Sequence, residues 1–326
     1  MRLPPQLGRR SKMLFLGLDT SNYTTSTALY QSGDNIVLQN KRLLAVKDGS
    51  LGLRQSEAVF SHVKQLSELL EGLMQQAPGP VSGVGVSVRP RDAAGSYMPC
   101  FLVGETVARS IAAVNRLTVT AVSHQRGHIA AALYSAGQLP LVGKPFVAFH
   151  LSGGTTECLF VKPDKELIFS VELVAQSLDL KAGQAVDRVG GMLGLSFPAG
   201  RALEALALAS QRQYKVKPTF KGADCSLSGI ENRCRKMLSD GEAPCDIARF
   251  CLDSIYAALA GMTEWVKKFY GELPVVYSGG VMSNRIIREQ ITRHYGGYFA
   301  DPQFSSDNAA GAAILACIAQ TGGIDS

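Results

Sequence analysis

Two histidines, His124 and His128, stand four residues apart in VSHQRGHIAAAL, Val122 to Leu133, just ahead of an alanine-rich apolar run. On a helix, positions i and i+4 lie one above the other, so two imidazoles can converge there on a single divalent ion. Such an ion usually takes a third protein ligand. Asp307, in FADPQFSSDNAAGAAILACIA (Phe299 to Ala319), can supply it. Asp307 or Ser306 can equally be the plain N-cap of the alanine-rich helix that follows, and the pair of histidines alone can be solvent-facing or capping. A zinc-protease reading fails on its own chemistry. The residue after His124 is Gln125, which leaves no Glu for the general base of an H-E-x-x-H helix.

A second chemistry-bearing device occurs twice. LFLGLDTSNYTTSTALY (Leu14 to Tyr30) and FVAFHLSGGTTECLFV (Phe146 to Val161) are each an apolar strand, a turn of small hydroxyl and glycine residues, and a second strand. Turns of this composition offer backbone N–H groups and hydroxyls to a phosphate, and two facing each other would clamp a nucleotide. Two ordinary hairpins would account for the strands as well. In PVVYSGGVMSNRIIREQI (Pro274 to Ile291) a buried strand ends in Gly279-Gly280 and runs into a helix with Ile286, Ile287 and Ile291 on one side. Glycines at a strand's carboxyl end suit a nucleotide or a tight connection. In LDLKAGQAVDRVGGMLGLSFPAGRALEALA (Leu178 to Ala207), Ala185, Val186, Val189, Met192 and Leu193 recur at helical spacing. The helix closes at Gly194 before the turn Pro198-Ala199-Gly200, and Asp187 on its polar side is either solvated or placed to reach a ribose.

The elements that position these residues are short strand patterns alternating with longer helical ones, the mark of an α/β protein. A chain of 326 residues with 46% hydrophobic content can build two domains. No apolar run approaches a membrane span, so the chain is expected off the membrane. The basic, Pro-containing start, residues 1–12, reads as a disordered lead-in, not a signal peptide. Seven scattered cysteines with no CxxC read as reduced thiols in a cytoplasm. A net charge of +6 is compatible with a polyanion such as RNA and equally with a solvated basic surface. The expected boundaries are a first domain over 13–140, a second over 145–300, and a C-terminal helix, 305–320, packing back onto the first.

Taken in order, HQRGH, LSGGTTE, AVDRVGGMLGLSFPAG, CSLSG, SGGVMSN and SSDNAAG resemble the motifs of the universal tRNA threonylcarbamoyladenosine-synthesis family, once labelled O-sialoglycoprotein endopeptidases. The match runs from about Leu14 to Ile318. The resemblance implies a two-domain actin-like ATPase (ribonuclease H-like) fold with the active site in an interdomain cleft. It implies one divalent metal, Fe or Zn, on His124, His128 and Asp307. It also implies a threonylcarbamoyl-AMP or ATP ligand held by His150, Leu151, Ser152, Gly153, Gly154, Asp187, Gly200 and Asn284. The implied reaction passes threonylcarbamoyl to N6 of adenosine 37 in tRNAs that read codons starting with A. The implied partners are tRNA and either a smaller paralogue with a P-loop ATPase or a kinase-containing complex. This chain has no P-loop, so any such ATPase is separate.

The sequence also departs from the family. Tyr23 and Thr24 stand where the first turn usually carries an acidic pair, which leaves Asp19 as its only acid. Thr155 replaces a histidine after the second glycine turn, and VRPRDAAGSYMP replaces a glycine-rich loop. These changes fit either a divergent transferase, with no catalytic residue assigned, or a catalytically weak paralogue that binds a nucleotide-like ligand and metal as a scaffold subunit.

Overall fold

A run of buried apolar residues as unbroken as the first five of Leu14–Asp19 belongs in the middle of a sheet covered on both faces. The computed structural model, which describes residues 12–21, 23–45 and 53–323, puts it there. The lead-in expected over residues 1–12 lies outside the described residues except for Lys12. The chain divides into two units, Met1–Ala131 with Asp307–Ser326, and Ala132–Ser306.

In the first unit β1 (Leu14–Asp19) and β2 (Thr24–Gln31) form the first expected hairpin, and β3 (Ile36–Leu43) extends it antiparallel. Helix α1 (Gln55–Met74) then carries the chain to β4 (Gly83–Arg89), and α2 (Phe101–Asn115) to β5 (Val119–Ser123). Both strands join parallel to β1, giving the order β3-β2-β1-β4-β5. Helix α1 buries Ala58, His62, Leu66, Leu69 and Leu73, an i, i+4 stripe that covers the hairpin. Helix α3 (His124–Ser135) starts at the residue after β5.

The second unit repeats the plan. Strands β6 (Phe146–Leu151), β7 (Thr156–Asp164) and β8 (Ile168–Gln176) form an antiparallel meander holding the second expected hairpin. After α4 (Ala182–Met192), α5 (Gly200–Leu208), the short pair β9 (Thr219–Lys221) and β10 (Asp224–Ser226), α6 (Ser228–Ser239) and α7 (Pro244–Tyr270), strand β11 (Val275–Ser278) joins parallel to β6. Helix α8 (Arg285–Tyr295) leads to β12 (Tyr298–Phe299), so the order β12-β11-β6-β7-β8 mirrors that of the first unit. Phe149 and Tyr277 stack at 5.4 Å at the centre of its core.

The last helix, α9 (Ala310–Thr321), returns to the first unit and lies on β1 and β4. It begins five residues later than the expected 305: Pro302–Phe304 form a separate 3₁₀ turn, residues 305–309 are non-helical, and the amide of Ala310 is met by Asn308 Oδ1. Among the described residues no helix is long and apolar enough to cross a membrane.

Candidate functional site

Strands β1, β4 and β5 run parallel and end at Asp19, Arg89 and Ser123, and open α/β sheets bind ligands at such carboxyl edges. Helix α3 springs from this edge with His124 in its first turn and His128 one turn on. Helix α9 is drawn to the same place by glycines. A Cβ on Gly17 or Gly85 would strike the α9 backbone, and one on Gly311 would strike the Gly127 carbonyl, between the two histidines. Only hydrogen at these positions lets α9 seat so deeply that the residues before it reach α3.

Asp307 thereby meets both rings. Its Oδ1 lies 3.2 Å from His128 Nε2 and 3.5 Å from His124 Nε2, and the ring centroids are 4.3 Å apart. One ligand atom from each of the three residues lies within 4.8 Å of the others. The plain-cap reading of Asp307 is overturned: Asn308 Oδ1, 3.1 Å from the Ala310 amide, serves the helix start instead. Thr24 Oγ1 donates to Asp307 Oδ2 at 3.4 Å, so one of the two residues replacing the acidic pair touches the site directly.

Asp19 takes a role the sequence reading missed. Its carboxylate is 1% exposed and accepts from Ser87 Oγ at 2.5 Å and Ser21 N at 2.9 Å, while Oδ2 lies 2.8 Å from His124 Nδ1. A proton on Nδ1 would leave Nε2 as a lone-pair donor beside Asp307, and carboxylates orient metal-bound histidines in this way. Burial works against charging His124, but Asp19 and then Asp307 outweigh it and raise the imidazole to about 10. Burial likewise opposes ionisation of Asp307, yet the two histidines hold it well below the usual carboxylate range. Burial depresses the Lys41 ammonium, with Asp307 acting against that, which puts a lysine in the field of the same carboxylate. The sequence signal for Asp19 was an Asp closing an apolar strand; Lys41 carried none, and it is the pairing of β3 with β2, Lys41 opposite Ser26, that brings it here.

The loop VRPRDAAGSYMP clasps the histidine helix. Asp92 accepts from Arg126 Nε at 2.7 Å, Ser123 Oγ at 2.7 Å and Arg89 Nη2 at 2.9 Å, while the Pro90 carbonyl takes the Gln125 amide at 3.0 Å. Burial raises the Asp92 carboxyl, but Arg126, Ser123 and Arg89 together lower it below its ordinary 3.8. A depressed folded value means the clasp stabilises fully above about pH 4 and is lost as pH falls through that lower value. Asp92→Asn weakens these bonds to a cation that is 2% exposed, and hydrogen bonds to charged groups contribute about 1.5–3 kcal/mol. The expected loss is about 1–2 kcal/mol at pH 7, read by urea unfolding; an unchanged midpoint would mean the loop does not hold the helix.

The eight residues expected at a nucleotide all belong to the second unit, where contacts link them into a ring. Ser152 closes the glycine turn, with its amide on the Thr155 carbonyl at 2.7 Å and its hydroxyl accepting the Thr155 amide at 3.1 Å. Gly153 and Gly154 are exposed, with open space where a Cβ would sit. The start of α4 abuts this turn, since a Cβ on Gly183 would lie 2.6 Å from Gly153 N. One turn on, Asp187 Oδ1 accepts the Ala199 amide at 2.9 Å, which ties the helix to the turn at Gly200. Glu204 of α5 then accepts the Arg285 amide at 3.0 Å, next to Asn284. Asn284 caps α8 through the Ile287 amide at 3.1 Å, so its carbonyl oxygen is committed and its amide is the group left for a ligand. Gly279 returns to the start, its backbone close against Leu151. The Leu151 side chain is 2% exposed in the core, so only its backbone can face a ligand. His150 Nδ1 is 3.0 Å from Ser278 Oγ.

Comparison with known proteins agrees with the motif order. A family model described as TsaD, tRNA N6-adenosine threonylcarbamoyltransferase, matches residues 35–314. The protein of that name from Enterococcus faecalis is 30% identical over 87% of this chain and 82% of its own length. Its namesake from Methanopyrus kandleri is 26% identical over 91% and 85%. Among solved structures, HypF of T. kodakarensis superposes with a TM-score of 0.62 at 14% identity over 96% of this chain and 49% of that one, so the chain spans about half of that protein. That likeness concerns the fold alone, and with the mirrored sheets it shows the expected α/β actin-like ATPase fold. Matched along most of its length, the chain belongs to the tRNA N6-adenosine threonylcarbamoyltransferase family, a family of transferases acting in tRNA modification.

Proposed function

We infer that the chain transfers threonylcarbamoyl from threonylcarbamoyl-AMP to N6 of adenosine 37 in tRNAs reading codons that begin with A. In this reaction a bond forms between N6 and the carbamoyl carbon as that carbon's bond to the AMP oxygen breaks. AMP leaves, and N6 gives up one proton. The observation that carries the reading is the convergence of His124, His128 and Asp307 at the carboxyl edge of β1, β4 and β5.

Two imidazole nitrogens and a carboxylate oxygen form a donor set suited to Zn or Fe, and the two carboxylates around His124 create a field that favours a cation. When bound, such an ion would act as a Lewis acid and template for the ligand. Asp19 orients His124 and is too buried and too fully bonded to serve adenosine as a base. In the second unit the glycine turn presents backbone amides to phosphate, Asp187 steadies the turn at Gly200, and the Asn284 amide is free to donate. The two units would serve as the two domains of the enzyme. Its setting would be cytoplasmic, with tRNA, a smaller paralogue and a separate P-loop ATPase, or a related complex, as partners.

The contact of Thr24 with Asp307 also supports a scaffold reading, in which a hydroxyl replaces a carboxylate that catalysis needs. Mass spectrometry of tRNA nucleosides after incubation with threonylcarbamoyl-AMP, metal and partner proteins separates the two. Modified adenosine supports the transferase; bound but unconsumed adenylate supports the scaffold. Gly153→Val should meanwhile weaken adenylate binding by tenfold or more without unfolding the chain, since the Cβ meets nothing there. Unchanged affinity by calorimetry would show that the turn is only structural.

A further inference from the structure

The segment from Ser210 to Gly222, SQRQYKVKPTFKG, carries four cationic residues and no acidic one. Its burial alternates. Tyr214, Val216, Pro218 and Phe220 are half-buried, while Lys215, Lys217, Thr219 and Lys221 are exposed, the in-and-out pattern of extended chain. The inward residues are anchors. Tyr214 meets Phe250 edge-on at 5.4 Å and its amide donates to Asp253 at 2.9 Å, and Phe220 fills the space over Gly261. The outward lysines are unspoken for: among the described residues none of Lys215, Lys217 and Lys221 has a carboxylate within ion-pair distance. Arg212 is different, since Glu242 at 2.8 Å and Asp246 at 3.2 Å already neutralise it.

Extended chain advances about 3.3 Å per residue, so the backbone from Lys215 to Lys221 spans at most roughly 20 Å, with the three lysines at alternate, outward positions. Three lysines in seven residues equal half of the chain's formal excess of +6. No exposed apolar side chain interrupts the line, so it lacks the buried anchor that a protein partner would need. A row of pre-set point charges is what a phosphodiester backbone recognises.

We propose that Lys215, Lys217 and Lys221 form a docking strip for the phosphate backbone of RNA. The proposal rests on the tRNA-modifying reading and gives it a contact surface outside the residues expected at the adenylate. The strip positions RNA and carries no sequence information, since phosphates are alike at every nucleotide.

The test is fluorescence anisotropy of labelled tRNA with the full chain between 50 and 200 mM KCl. The triple variant K215Q/K217Q/K221Q should flatten the slope of log K against log salt by about 2–3, since each phosphate contact contributes about 0.7–0.9. Binding at 100 mM should fall by about tenfold or more, with the melting temperature unchanged. A control of equal charge, K144Q/K165Q/R293Q, should lose no more than about twofold. A triple variant that keeps the wild-type slope, a control that loses as much, or a wild-type chain that does not bind tRNA would each overturn the strip. Because transfer is not read, a chain that binds tRNA through these lysines yet never modifies it would sink the proposed activity and leave the strip standing.

Discussion

Replacing His128 with alanine is expected to weaken Zn or Fe binding by at least about 100-fold while the chain stays folded. His128 faces Asp307 through Nε2 at 3.2 Å, and its truncation leaves His124 and Asp307 to hold the ion alone. Losing a partner that merely orients a ligand costs about 10–100-fold, so losing a ligand should exceed that range. Alanine is the best helix former and the side chain is only partly buried, so α3 should persist. Competition with a chelator reads the affinity, and elemental analysis of the purified protein reads occupancy. Asp19→Asn is the graded comparison: all three direct ligands remain while the group orienting His124 changes, and the loss should fall within the 10–100-fold range. Equal metal content in wild type and His128→Ala would remove the metal from the proposal.

Gly311→Ala is expected to damage the fold and the site together. The added methyl falls on the Gly127 carbonyl of α3, and backbone cannot swing aside as a side chain can. Overpacking costs about 1–3 kcal/mol, and this contact belongs at the upper end because neither neighbour has a rotamer to change. For a chain of 326 residues that corresponds to a fall of roughly 3–5 °C in melting temperature. Pushing α9 away from α3 also withdraws Asp307 from the histidines, so metal affinity should fall although no ligand has been touched. Gly153→Ala, at open space, should do neither. A Gly311→Ala protein with wild-type melting and metal affinity would show that the close approach does not set the site.

The repeated hairpin and the alternation of strand and helix were enough to read the α/β class, because local periodicity and turn chemistry act over a few residues. The helix bearing His124 and His128, the glycine break at Gly194 and the apolar stripe of α8 are local in the same sense. What could not be read is set by contacts across long stretches of chain. Asp307 looked like a cap because Asp before an apolar helix usually is one; only the tertiary seat of α9 frees it, with Asn308 taking the cap. Asp19 looked like a remnant of a lost acidic turn, and its hold on His124 spans more than a hundred residues. Gly127 and Gly311 carry no signal as single glycines, since their meaning is that they face each other. The clasp of Asp92 on Arg126 was hidden in a loop notable only for standing where a glycine-rich one is expected.

The discontinuity of the first unit also dictates an order of events during synthesis. Its chain leaves after Ala131 and returns only at Asp307, so the whole second unit leaves the ribosome before α9 exists. At about 5–20 residues per second that interval lasts roughly 10–35 s. By its end the second unit has every strand of its own sheet, while the face of β1 and β4 that α9 later covers still lacks that helix. The second unit can therefore finish folding first, and the first is a nascent-chain hazard until its last helix arrives.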